Sequence, residues 1–267
     1  MTDSNTNSDS IETTKAADAG ESLQSRLQQA STVANNLLNE IKKVLIGQDA
    51  VIEQVLIALI ARGHVLIEGV PGLGKTLLVR SLAKCFGGQF SRVQFTPDLM
   101  PSDVTGHAMF NMAKQEFEIR RGPAFTNLLL ADEINRAPAK TQAALLEVMQ
   151  EGQITIEGES FKTGEPFMVL ATQNPIEQEG TYPLPEAELD RFMLKVIIDY
   201  PSESDEQFML RQVTSQSQGG FGLEHIRTLL KPAHVLSLQK IADQLTVDEQ
   251  ILQYVVKVVR PTRSWSG

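Results

Sequence analysis

The sequence predicts an α/β fold, with a five-stranded, mostly parallel sheet between helices and a small all-helical domain after it. Three observations predict it. Short apolar runs at 64–68, 91–95, 127–132, 167–172 and 193–199 look like five buried strands. Helical patterns follow Lys75, Pro138 and Pro185, and such alternation builds a parallel sheet covered on both sides. Beyond Pro201 the strand signal stops, while helical patterns continue over 203–217, 223–231, 237–245 and 248–260.

In chain order, residues 1–21 are polar, acidic and nearly free of large apolar groups, so burial cannot offset their ordering entropy and a disordered tail is expected. Leu37, Ile41, Val44 and Leu45 share one helical face. Ile46, Gly47 and Gln48 interrupt it, and Asp49 is placed to cap a second helix through VIEQVLIALIA. The strand HVLIE runs into GVPGLGKT, Gly69 to Thr76, and then into the helical LLVRSLAKCF. Between the second and third strands, residues 100–125 alternate in AMFNM and EFEIR around a polar turn. A second hairpin is expected over 153–162, turning at Gly158. Either insertion is a solvated decoration or a place for partner contacts. Gly219 to Gly222 form a joint within the helical region.

Composition narrows the function classes. The longest unbroken apolar run, VLIALIA, is halted by Arg62, short of a membrane span. The N-terminus has no apolar h-region, and the single cysteine, Cys85, cannot form an internal disulfide. A reducing cytoplasmic setting is therefore expected, with Cys85 a small buried side chain. A net charge of −9 argues against a broad nucleic-acid surface, leaving a local basic pore as the alternative.

The motifs carry chemistry. G-x-x-x-x-G-K-T is a phosphate-binding loop, in which glycines turn the backbone so that N–H groups converge on phosphate oxygens beside a helix N-terminus. The candidate binding residues are Gly69, Val70, Pro71, Gly72, Leu73, Gly74, Lys75, Thr76 and the adjoining Leu77. Lys75 is placed to reach the outer phosphates, and the Thr76 hydroxyl to ligate Mg²⁺. NLLLADE then brings an acidic pair to a strand tip, Asp132 for the metal and Glu133 to activate water. Asn174, after the fourth strand, positions that water if its strand lies between the first and third. Otherwise it starts an Asn-Pro turn. Arg191, before the fifth strand, is a guanidinium for a neighbouring subunit's transition state, or else an internal partner of Asp190, Glu188 or Glu186.

With these motifs in order, the chain resembles the AAA+ ATPases. GVPGLGKT, QFTPDLMPSDVTG, RRGPAFTNLLLADEINRAPAKTQAALLEVMQEGQ, ATQNPIEQEGTYPLPEAELDRF and VVRPTR resemble the MoxR family over roughly residues 30–263. The resemblance implies a P-loop AAA+ core over 22–200, a helical lid over 201–267, ATP and Mg²⁺ as cofactors, and Ile46, Gly47 and Gln48 near the adenine. It also implies a homo-oligomeric, commonly hexameric ring that remodels or matures client protein complexes with a von Willebrand factor A domain partner. The 100–125 and 153–162 insertions then face the pore or client. Family members continue into a GASPR-like motif with a lid arginine, whereas this sequence ends at SWSG, so a truncated lid and weak turnover are expected. Two alternatives follow: a nucleotide-dependent assembly module that barely hydrolyses, and a nucleic-acid motor on the same scaffold.

Overall fold

The computed structural model describes residues 22–174, 180–215 and 222–264, without the side chains of residues 212, 213 and 215. The expected tail at 1–21, most of the 219–222 joint and the last three residues lie outside this range.

Two helices open the described chain, α1 (Leu23–Lys42) and α2 (Asp49–Ile60). Ser22 caps α1 by accepting the Ser25 N–H at 3.2 Å. Asp49 does not cap α2 as expected: Gln48 holds that position, and Asp49 in the first turn pairs instead with Lys42 at 2.6 Å. The core strands are β1 (Val65–Glu68), β2 (Phe90–Gln94), β5 (Leu128–Asp132), β8 (Met168–Gln173) and β9 (Leu194–Ile197). They form one parallel sheet in the order β2-β5-β8-β1-β9. Every crossover in the sheet carries helix, with α3 (Lys75–Cys85) and α5 (Ala139–Glu151) the long ones.

Alternation along the strands divides the core. Val65, Ile67, Leu128, Leu130 and Leu170 pack with α1, α2 and α3 on one face. Leu66, Leu129, Ala131, Val169 and Ala171 pack with α5 on the other. Both faces of the central strands β5, β8 and β1 are therefore buried, which is why those three read as apolar runs.

Both expected hairpins form. The first follows the short helix α4 (Pro101–Thr105) as β3 (Gly106–Asn111) and β4 (Glu116–Arg121), and the second is β6 (Gln153–Ile156) with β7 (Glu159–Lys162). The two lie side by side, β3 against β6. The helix expected after Pro185 is one turn only, α6 (Glu186–Leu189), and Arg191 sits just past it in an exposed turn.

After α7 (Glu203–Ser215), only Leu223–His225 form a 3-10 turn where a helix over 223–231 was expected. The rest of that stretch buries Ile226 and gives the Leu229 and Leu230 N–H groups to the Cys85 carbonyl at 2.7 and 3.0 Å. Its apolar residues thus close the α1–α3 cluster without a helix. There α8 (Pro232–Ala242) buries Val235 and Leu238, and the Gln239 amide donates to the Leu59 carbonyl at 2.7 Å. The last helix, α9 (Glu249–Thr262), buries none of its residues.

Candidate nucleotide site

The loop leaving β1 passes through Gly69–Gly74 into α3. Gly74, at φ 83°, is the residue before the helix, and its left-handed conformation is one that glycine enters with little penalty. Gly69 meets a different demand, since a Cβ there would lie 2.5 Å from the Ile198 carbonyl oxygen. This path aims the unpaired N–H groups at the start of α3 into a cavity of about 410 Å³. Pro71, Gly72, Gly74, Lys75, Thr76 and Leu77 line one side, and Arg92, Gln94, Asp132 and Glu133 the other.

The parallel register brings those walls together. Gln94 lies opposite Asp132, and β8 lies between β5 and β1. The buried Thr172 hydroxyl donates to Asp132 Oδ1 at 2.6 Å and accepts the Glu133 N–H at 2.9 Å. Arg92 donates to Asp132 Oδ2 through Nη2 at 2.7 Å and Nε at 3.1 Å. Glu133 holds a left-handed backbone, φ 56° and ψ 51°, uncommon for a non-glycine residue. Its Oε2 accepts from Gln94 Nε2 at 2.8 Å and Arg136 Nη1 at 3.2 Å, while Oε1 accepts from no described residue. Lys75 Nζ donates to the Gly69 carbonyl at 2.7 Å. Burial lowers the Lys75 pKa, and the charges of Asp132 and Glu133 oppose that shift.

A second cavity, of about 300 Å³, shares Gly72, Gly74 and Leu77 with the first and is walled by Ile46, Gln48, Tyr200, Pro201 and Met209. Gln48 is fixed by donating its amide to the Asp199 carbonyl at 2.8 Å. Gly47 packs against Pro201 and Asp205 without lining the cavity. One apolar chamber joined to one polar chamber fits a base and its phosphates. Among the described residues, no group of three or more His, Cys, Asp or Glu can hold a metal. Thr76 and Asp132 are instead a sparse oxygen set, which fits Mg²⁺ carried in with phosphates and water.

Lys75, Thr76, Asp132 and Glu133 thus surround one cavity. Asn174 is buried directly after β8 at the same carboxyl edge of the sheet, without lining either cavity. Arg191 is exposed, lies outside both cavities, and pairs with none of Glu186, Glu188 and Asp190. The motifs did not point to Arg92, Gln94, Arg136, Thr172, Tyr200 or Met209. The only signal for the first two was their placement at alternate positions of one strand, which puts both on the same face.

Residues 64–194 match the model of the ATPase family associated with various cellular activities (AAA). The chain is 47% identical over 224 residues to Chaperone MoxR1 of Mycobacterium tuberculosis, covering 84% of this chain and 58% of that protein. It is 46% identical over 226 residues to the uncharacterized protein YeaC of Bacillus subtilis, covering 85% of this chain and 69% of YeaC. The chain belongs to the MoxR family of AAA ATPases. A crystal structure from Cytophaga hutchinsonii, provisionally described as an ATPase, is 42% identical to this MoxR-family chain with a TM-score of 0.79. That likeness covers 90% of this chain and 72% of the other. The MoxR-family chain spans 58% of the length of MoxR1.

Proposed function

We propose that this MoxR-family chain binds ATP with Mg²⁺, hydrolyses it, and uses the turnover to remodel or mature client protein complexes. The observation that carries the reading is the placement of Lys75 and Thr76 across one cavity from Asp132 and Glu133. Lys75 and the first amides of α3 hold the phosphates, while Ile46 and Gln48 bound the base chamber. Thr76 and Asp132 hold Mg²⁺, which when bound neutralises charge on the phosphate oxygens. Glu133 accepts the proton of the attacking water at Oε1, the oxygen without a described donor. Asn174 orients that water, and Arg191 serves the site of a neighbouring copy.

This reading carries a homo-oligomeric ring, hexameric by family resemblance, with a von Willebrand factor A domain partner. The described helices beyond residue 201 form the lid region, seated in part on α1–α3. No described helix is long and apolar enough to cross a membrane, and a cytoplasmic setting fits the single buried cysteine.

The test is steady-state phosphate release. Glu133→Gln keeps ATP binding and lowers release by about 10²–10⁴-fold, the usual worth of a general base. Equal rates in the two proteins would overturn the assignment.

A further inference from the structure

Arg92 is joined to both acids of the site. Its Nη2 and Nε hold Asp132 Oδ2, and Nη2 also donates to Gln94 Oε1 at 3.0 Å. Gln94 in turn donates to Glu133 Oε2 at 2.8 Å. Oδ1 is bonded to Thr172, so a cation approaching Asp132 from the cavity meets the Arg92 guanidinium already at Oδ2. The Arg92 side chain is 48% exposed, and an ion pair so wet is readily exchanged.

We infer that Arg92 is a placeholder cation, which denies Asp132 to a divalent ion arriving alone and yields it to one arriving with a polyphosphate. The inference rests on the reading of Asp132 as the metal's carboxylate. Two positive charges compete for one oxygen, and their mutual repulsion at contact distance in a half-buried cleft opposes simultaneous occupancy. A polyphosphate changes that balance twice: it supplies ligands for the ion, and it offers the guanidinium, a good phosphate partner, somewhere else to go. Gln94 contacts both Arg92 and Glu133, so departure of Arg92 also loosens one support of the water-activating carboxylate.

The experiment is Mn²⁺ binding to the full chain without nucleotide, followed by electron paramagnetic resonance of the free ion. Wild type binds Mn²⁺ weakly. Arg92→Gln binds it at least about tenfold more tightly, because a unit charge at contact has been removed. Adding Asp132→Asn to that variant abolishes the gain. Arg92→Met, which keeps the apolar stem, replaces Arg92→Gln if the latter fails to fold. If the Arg92 variant melts like wild type and binds Mn²⁺ no better, the placeholder role is wrong. If Asp132→Asn instead leaves Mn²⁺·ATP binding unchanged, the reading of Asp132 is what fails.

Discussion

The Thr172 hydroxyl is bonded to both acids, donating to Asp132 and accepting from the Glu133 amide. Thr172→Val preserves the shape and removes both bonds, leaving a left-handed Glu133 without the acceptor for its N–H. The expected outcome is a fall in kcat of about 10–100-fold, as for other residues that orient a site's ligands, with KM for ATP changing much less. An unchanged kcat would show that the backbone holds Glu133 unaided. Two buried titratable groups set the pH response. His64 accepts the Val169 N–H at Nδ1, so Nε2 carries the proton and donates to the Met149 carbonyl, and the ring is neutral. Burial lowers its pKa, so below about pH 6.5 the unfolded chain takes up a proton that the folded chain refuses. Burial alone would raise the Glu40 carboxyl, but hydrogen bonds from Arg227 and Lys43 bring it down from 4.5 to about 2. Stability from His64 is therefore present above its unfolded pKa and lost first as pH falls. That from Glu40 persists to lower pH and is lost between 4.5 and about 2. Melting curves against pH check this, and His64→Gln should flatten the decline that sets in as pH falls below about 6.5. Lys75, Thr76, Asp132 and Glu133 were legible because each belongs to a motif local in sequence. Thr172, Arg92 and Gln94 were not, because their roles arise only when β2, β5 and β8 align.

The central strands β1, β5 and β8 declared themselves through doubly buried apolar runs, the edge strands β2 and β9 through shorter mixed ones, and all five were placed to within about two residues. Helices were harder where tertiary contacts supplied the partners. Residues 226–231 have apolar content enough for a helix, but Cys85 at the end of α3 offers a carbonyl to two of their amides. Asp49 has a capping side chain, and Lys42 takes it instead. The 153–162 hairpin was legible from its turn, and its geometry makes a prediction. Glu157 and Gly158 both have positive φ, 50° and 84°, the pattern of a two-residue turn favouring Asn-Gly. Nothing lies within 4 Å of a Cβ built on Gly158, so Gly158→Ala tests backbone conformation alone. It should cost about 1–2 kcal/mol by chemical denaturation. Glu157→Asn should stabilise by a few tenths of a kcal/mol, since asparagine tolerates this region better. If Gly158→Ala is neutral, the turn has relaxed to another form.

The sheet order puts the phosphate loop, the acidic pair and Asn174 along one carboxyl edge of a single chain, where open α/β folds gather their ligands. Arg191 stands apart from both cavities, exposed and without an ion-pair partner among the described residues. An exposed guanidinium on the turn between α6 and the edge strand β9 is accessible to a neighbouring molecule. If it completes the site of an adjoining copy, the contact is heterologous, with different surfaces on the two partners, and repeats around a ring. Arg191→Ala and Glu133→Gln should then each be nearly inactive alone, since a guanidinium at the transition state is worth about 10³–10⁵ in rate. Mixed in equal amounts, they behave differently. An interface taking its cavity from the Arg191→Ala chain and its arginine from the Glu133→Gln chain has every part intact, and random mixing makes roughly a quarter of interfaces of this kind. Phosphate release should therefore recover on mixing and rise with total protein concentration. An Arg191 acting within its own chain gives no recovery at any ratio, because neither polypeptide then carries a complete site.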